Sequence, residues 1–145
     1  MKQEISISWK DGMAFEAEVN GHKLMLDAGE QHGGKDLGPR PKPLMLVALA
    51  GCTAMDVVSI LAKMRVELDN FDVKVEGEQS EDQPVHYISM HIVYEFWGKD
   101  LPMDKLEKAI SLSQERYCGV AAVYRKSMPV TYSIVLHDTS NGQSV

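Results

Sequence analysis

The chain has 145 residues, of which 44% are hydrophobic and 25% are charged, and its formal net charge is −6. This length suits one domain and the composition is close to the globular average, so we expect a single domain over residues 1–145, with residues 139–145 as a disordered tail. The negative charge and the scattered basic residues argue against a nucleic-acid partner, because phosphate binding needs clustered lysine and arginine.

The N-terminal sequence, MKQEISISWKDGM, has no apolar run of signal-peptide length. The most apolar stretch, residues 44–62, contains Asp56, and only the twelve residues 44–55 before it are free of charge. Such a run is short for a membrane-spanning helix and typical of a buried core helix. We therefore predict a cytoplasmic location and no membrane partner.

The first 28 residues predict an antiparallel meander of three strands. Ile5, Ile7 and Trp9 alternate with polar residues, which is typical of a strand with one buried face. Asp11-Gly12 and Asn20-Gly21 are strong signals for tight hairpin turns.

A loop rich in glycine and proline, residues 29–42, separates the meander from an apolar helix. A loop of this length in a compact domain is commonly functional or mobile. Pro43 suits the first turn of a helix, which we expect to run to about Glu67. A helix that is apolar on nearly all sides is covered by its own fold or by a partner subunit, and a dimer is one way to supply that cover.

The second half predicts two paired strands, a helix and a last strand. The alternating segments 71–79 and 86–98 are the strand pair, and 128–138 is the last strand. The helix falls within residues 101–126, with a break or bend at Gly119. The predicted order is βββ-α-ββ-α-β, an α+β fold with a long buried central helix.

The two cysteines are the candidate chemical groups. Cys52 and Cys118 lie 66 positions apart (118 − 52), so they match neither a CxxC motif nor a zinc knuckle. Free cysteine is among the most buried residue types, and the residues taken alone favour plain core packing over redox chemistry. Whether the two sulfurs meet in space decides between these alternatives.

A reactive Cys52 would need a positive neighbour. Asp56 lies one helical turn away on the same face, and by itself it would raise the pKa of the thiol. The candidates for an activating cation are Arg40 and Lys42, just ahead of the helix, and Arg125, seven residues after the second cysteine.

The sequence gives no pattern for a metal or cofactor site. The five histidines show no metal-ligand spacing, so we predict no metal. The loop sequence GEQHGGKDLGP is glycine-rich but matches no phosphate-binding motif, and we expect no cofactor.

Two segments together resemble the OsmC/Ohr family. They are PKPLMLVALAGCTAMDVV, which contains the first cysteine, and ERYCGVAAVYRKSMPV, which contains the second. The resemblance covers the whole chain and is greatest to the branch of OsmC-like proteins with a GCT-x-MD core helix. It implies an intertwined homodimer whose central helices are buried by both subunits.

The resemblance also implies a chemistry, that of a thiol peroxidase which reduces organic hydroperoxides. By position, Cys52 would be the peroxidatic cysteine and Cys118 the resolving one. The first would become a sulfenic acid, and the second would condense with it to a disulfide. A dithiol, which in the Ohr branch is bound to a lipoyl protein, would reduce that disulfide. No metal, flavin or nicotinamide is implied.

The chain departs from the family pattern around both cysteines. Lys42 stands where better-known members have a glutamate, and residues 31–35 hold no arginine, so Arg40 is the nearest one. Gly119-Val120-Ala121 replaces the commoner Pro-x-Ser. These departures leave open an alternative from another class, a non-catalytic protein that binds a small apolar molecule and has inert thiols.

Overall fold

The computed structural model of the protein describes residues 1–140. It has the predicted α+β fold, with two three-stranded sheets and a long central helix. Two compact units are present, Met1–Met45 and a second that begins at Leu46, and each is described by itself. The single domain expected over residues 1–145 stays a prediction, and most of the expected disordered tail, residues 141–145, lies outside the described part.

The first unit contains the predicted meander. Strands β1 (Ile7–Asp11), β2 (Ala14–Val19) and β3 (His22–Leu26) pair in that order, and both pairings are antiparallel. Asn20 and Gly21 have φ values of 50° and 80°, the paired left-handed conformation of a type I′ hairpin turn. Trp9 is 67% exposed, so the expectation of a half-buried face is wrong for β1.

Asp27 orders the loop that follows this meander. Its carboxylate is buried and accepts hydrogen bonds from the backbone N–H groups of Ala28 (2.7 Å), Lys35 (3.1 Å) and Leu37 (3.2 Å). Burial alone would raise the pKa of Asp27, but these three N–H groups, with the charge of Arg40, outweigh it and hold the pKa below its usual value.

The second unit contains a sheet with the order β4-β5-β6, made of β4 (Asn70–Gln79), β5 (Tyr87–Gly98) and β6 (Val130–Asp138). β4 and β5 pair antiparallel, whereas β5 and β6 pair parallel. Parallel neighbours need a crossover connection. Here the connection consists of α2 (Met103–Leu112), a π-helical turn (Ser113–Tyr117) and α3 (Gly119–Tyr124).

The central helix, α1 (Leu44–Lys63), is shorter than predicted. Arg65 adopts φ 60°, and the N–H of Val66 bonds the carbonyl of Leu61 at 2.9 Å. That pattern is a Schellman cap, which turns the chain out of the helix. The expected extension to Glu67 is therefore wrong, because a left-handed residue other than glycine gave no signal in the sequence.

One side of α1 is buried, at Leu49, Thr53, Val57 and Leu61. Along β5, alternate side chains from Met90 to Phe96 enter the same core, to which α2 also contributes. Within residues 1–140, α1 is the one helix long and apolar enough to cross a membrane by length and composition, a test that core helices also pass.

Candidate functional site

The structure brings Cys52 and Cys118 together. The two sulfurs and a carboxylate oxygen of Asp56 all lie within 4.8 Å of one another, and both cysteines are free thiols. The spatial meeting that the sequence left open is therefore present in the second unit. The catalytic roles of the two cysteines remain predictions.

Different local structures hold the three groups. Cys52 and Asp56 occupy positions i and i+4 of α1, which places them one above the other on one face. Cys118 follows the π-helical turn, and the backbone N–H of Cys118 donates the last hydrogen bond of that turn, to the carbonyl of Ser113 at 2.7 Å. It then caps α3, with its sulfur accepting from the N–H of Ala121 at 3.4 Å. This turn places the Cys118 sulfur next to Cys52 and Asp56 of α1.

The two thiols sit in different environments. Cys118 is 3% exposed, whereas Cys52 is half-buried. Burial, a hydrogen bond with Cys52 and the negative charges of Cys52 and Asp56 raise the pKa of Cys118 to about 11, against the lowering effect of the Ala121 N–H. Cys118 is thus a protonated thiol at neutral pH, and Cys52 is the more accessible sulfur.

A buried chain of hydroxyl groups begins at Asp56. The Ser113 hydroxyl donates to Asp56 Oδ2 at 2.9 Å, and it lies 2.8 Å from Thr53 Oγ1. Because the carboxylate only accepts, Ser113 must donate to it and accept from Thr53. Thr53 and Ser113 are both fully buried, so their hydroxyl groups depend on this chain for hydrogen bonds.

This chain of hydrogen bonds continues to a positively charged side chain. Thr53 Oγ1 lies 2.6 Å from the Tyr94 hydroxyl, and Gln114 Nε2 donates to Tyr94 at 2.8 Å and to Thr53 at 3.2 Å. Arg125 donates to Gln114 Oε1 at 2.5 Å and to its backbone carbonyl. A guanidinium that only donates at one end and a carboxylate that only accepts at the other fix the direction of every bond between them. The hydrogen bonds therefore hold these side chains in fixed orientations and support Asp56.

Sequence reasoning missed three members of this chain: Tyr94, Ser113 and Gln114. Tyr94 offered a signal, because it alternates with Ile92 and Phe96 on the buried face of β5, and a buried tyrosine hydroxyl usually finds a partner. Ser113 and Gln114 offered none, since the π-helical turn that buries them breaks the helical period.

The three predicted cations have different partners. Arg125, in the second unit, bonds Gln114 as described above. Arg40, in the first unit, donates to Asp36 Oδ1 at 2.5 Å and to the Gly38 carbonyl at 3.1 Å. Lys42 also lies in the first unit and is half-buried. The expectation that one of them activates Cys52 stays a prediction for all three.

A cleft of about 450 Å³ opens beside Asp56 in the second unit. Its lining combines apolar side chains with a lysine: Asp56, Ser59, Ile60, Lys63, Leu112 and Tyr117. The cleft gives a small molecule a route to the carboxylate that lies next to the two sulfurs. Lys63 places a positive group in it that the sequence did not single out as a site residue.

Comparison with solved structures shows where this fold recurs. A hypothetical protein from Aquifex aeolicus VF5 superposes with a TM-score of 0.79 at 24% identity, covering 95% of this chain and 99% of that one. An organic hydroperoxide resistance protein OsmC from Legionella pneumophila superposes with a TM-score of 0.67 at 14% identity, covering 93% and 97%. At these identities the likeness is one of fold.

Sequence comparison goes further. Protein YhfA of Escherichia coli (strain K12) is 33% identical over 128 residues, which are 88% of this chain and 92% of that protein. The family model described as OsmC-like protein matches residues 33–133. This range includes both cysteines and most of the chain, so the resemblance noted in the sequence is confirmed and the protein belongs to the OsmC-like family.

Proposed function

We propose that this protein is a thiol-dependent hydroperoxide reductase of the peroxiredoxin-like type. One observation carries the proposal: two free thiols and a carboxylate lie within 4.8 Å of one another beside an open cleft. Family membership supports a redox or peroxide-related function, and a fold neighbour bears the name organic hydroperoxide resistance protein. The role of each residue follows from its exposure and its charge.

Cys52 attacks the peroxide because it is the more accessible sulfur of the pair. Its thiolate forms a bond to the terminal oxygen of ROOH, the O–O bond breaks, and RO⁻ leaves and takes up a proton to become ROH. Cys52 is thereby oxidised to a sulfenic acid. Asp56 lies within 4.8 Å of the sulfur, a distance that one water molecule can bridge to carry the thiol proton to the carboxylate before the attack and back to the leaving alkoxide.

Cys118 completes the turnover by attacking the sulfenic sulfur. An S–S bond forms, and the Cys118 proton leaves with the hydroxyl group as water. Conversion of the Cys52 thiolate to a neutral sulfenic acid removes one of the charges that raise the pKa of Cys118, which favours this second step. A dithiol, such as that of a lipoyl protein, then reduces the Cys52–Cys118 disulfide and is itself oxidised.

The proposal is tested with single-cysteine variants. Cys52→Ser should abolish turnover of an organic hydroperoxide in the presence of a dithiol. Cys118→Ser should consume about one equivalent of peroxide and retain a sulfenic acid on Cys52, detectable by a dimedone-type probe and mass spectrometry. Peroxide consumption by Cys52→Ser at the wild-type rate would refute the assignment.

The second candidate function is the binding of a small apolar molecule by a protein with inert thiols. A cavity of about 470 Å³ within the first unit favours it, because its lining includes Ile7, Met13, Phe15 and Leu26. Thiol reactivity separates the two functions. An activated Cys52 is alkylated rapidly at neutral pH, whereas a thiol that only fills space reacts slowly and supports no turnover.

A further inference from the structure

We propose that the reduced protein binds one thiophilic divalent cation through Cys52, Cys118 and Asp56, and that Zn²⁺ is the preferred ion. The sequence predicted no metal site because the histidines lack ligand spacing and the cysteines lack a CxxC motif. Ligand spacing along the chain does not reveal this cluster, because its parts come from two turns of α1 and from the start of α3.

The distances suit such a cation. Tetrahedral zinc holds sulfur at about 2.3 Å and carboxylate oxygen at about 2.0–2.2 Å, which places ligand atoms roughly 3.5–3.8 Å apart. The two sulfurs and the carboxylate oxygen already lie within 4.8 Å of one another, so a movement on the order of 1 Å closes the site. Three protein ligands leave the fourth position to water, and the half-buried Cys52 and the cleft beside Asp56 leave a path for entry.

The charge of the cluster favours a cation as well. Two thiolates and a carboxylate would bring three negative charges within 4.8 Å of one another, and without a cation they would repel each other. A divalent cation replaces this repulsion with attraction, and each thiol that was protonated releases its proton on binding.

Asp56 is already oriented by a neighbour, as metal ligands usually are. One of its oxygens accepts from Ser113, which is held by Thr53, and the carboxylate keeps free lone pairs for a metal. Two thiolates with one carboxylate favour zinc over magnesium or calcium, which prefer oxygen ligands. A bound ion would occupy the same sulfur that attacks peroxide, so zinc should inhibit any thiol chemistry here.

The experiment titrates the reduced, metal-free, full-length protein with zinc chloride and measures bound metal after equilibrium dialysis. We expect one zinc per chain, with the affinity lowered at least about tenfold in Cys118→Ser and in Asp56→Asn. Asp72→Asn, which changes an exposed aspartate on β4, is the matched control and should bind as the wild type does. Cobalt(II) is a second probe that needs no variant, since thiolate coordination gives a charge-transfer band.

Absence of saturable zinc binding, or binding unchanged in either ligand variant, would overturn the site. A cobalt spectrum without the thiolate band would do the same. The inference stands apart from the proposed function. A protein that turns over hydroperoxide without binding zinc refutes only the metal site, and a protein that binds zinc without turnover refutes only the reductase.

Discussion

At the scale of single residues, Asp56 has the largest influence on the site. It lies within 4.8 Å of both sulfurs, its charge helps to raise the pKa of Cys118, and it ends the hydrogen-bonded chain from Arg125. A negative group beside a thiol opposes thiolate formation. Asp56 therefore suits a proton acceptor or a metal ligand better than a group that activates sulfur through charge alone.

Removing this charge should make Cys118 more acidic. In Asp56→Asn the carboxylate no longer repels the Cys118 thiolate, so the pKa falls below the wild-type value of about 11 and alkylation at a fixed, mildly alkaline pH becomes faster. Peptide-resolved mass spectrometry after timed iodoacetamide treatment measures this rate for Cys118 alone. Asp72→Asn serves as control, and a slower or unchanged rate in Asp56→Asn would contradict the argument.

The predicted cations are tested in the same way. We expect Arg40→Ala to slow the alkylation of Cys52 at neutral pH more than Lys42→Ala does, because the cation that activates a thiol acts by favouring its thiolate, and Arg40 is the residue we predict in that role. Equal effects, or none, would place the activating cation elsewhere, and Arg125→Ala or Lys63→Ala would then be the next variants to compare.

Spacing along the sequence could predict part of the site. Cys52 and Asp56 share a helical face by the 3.6-residue period alone. The meeting of Cys52 with Cys118 followed from the family resemblance and not from any local pattern, since 66 positions separate them. The burial of Ser113 and Gln114 depends on a π-helical turn, for which hydrophobic periodicity carries no signal.

At the scale of elements, Tyr94 joins β5 to both helical parts of the site. Its hydroxyl lies 2.6 Å from Thr53 on α1 and accepts from Gln114 in the π-helical turn. The hydroxyl is buried, and burial raises the pKa of Tyr94, although its bonds to Thr53 and Gln114 oppose that effect. The strand, the helix and the turn are thus fixed to one another by a single side chain.

Tyr94→Phe should destabilise the protein by about 1–3 kcal/mol, because it removes two buried hydrogen bonds, one with Thr53 and one with Gln114. Urea unfolding followed by circular dichroism measures the loss. Tyr132→Phe, at an exposed tyrosine whose ring packs edge-on against Tyr94, is the matched control and should cost much less. A loss in Tyr94→Phe no greater than in the control would show that the hydroxyl chain adds little stability.

The order of elements and the pairing of sequential strands were predictable, whereas the pairing of the last strand was not. Alternating residues and hairpin turn signals together marked the six strands, and the turn signal at Asn20-Gly21 placed the β2–β3 hairpin correctly. The sequence pattern did not predict the parallel pairing of β6 with β5. Alternation of apolar and polar residues indicates which side chains of a strand share a face, but it does not indicate which other strand pairs with it.

At the scale of the whole molecule, α1 leaves one side uncovered in the single chain. Val47, Met55 and Val58 are 62%, 76% and 49% exposed, and their spacing places them on one side of the helix, away from the buried residues. An exposed apolar stripe of this kind is typical of an interface. OsmC-family proteins are commonly homodimers, and we expect this chain to be one.

A charge on the stripe should separate the subunits. Met55→Glu is expected to shift the protein from dimer to monomer in sedimentation velocity experiments at micromolar concentration, because an unpaired carboxylate would be buried in the interface. Met103→Glu changes an exposed methionine at the start of α2 and should leave the assembly unchanged. Dissociation by both variants, or by neither, would contradict an interface on this side of α1.

The parallel pairing of β5 and β6 also bears on the order in which a newly made chain can assemble. β6 is the last strand within residues 1–140, so until it has been made and pairs with β5 the crossover that carries Cys118 is attached to the sheet at its β5 end only. A nascent chain halted before residue 130 would carry both thiols and the hydrogen-bonded groups around them, but not the strand that fixes the far end of the crossover. Stop codons just short of β6 should therefore yield products that keep both cysteines and hold them together less stably than the full chain does.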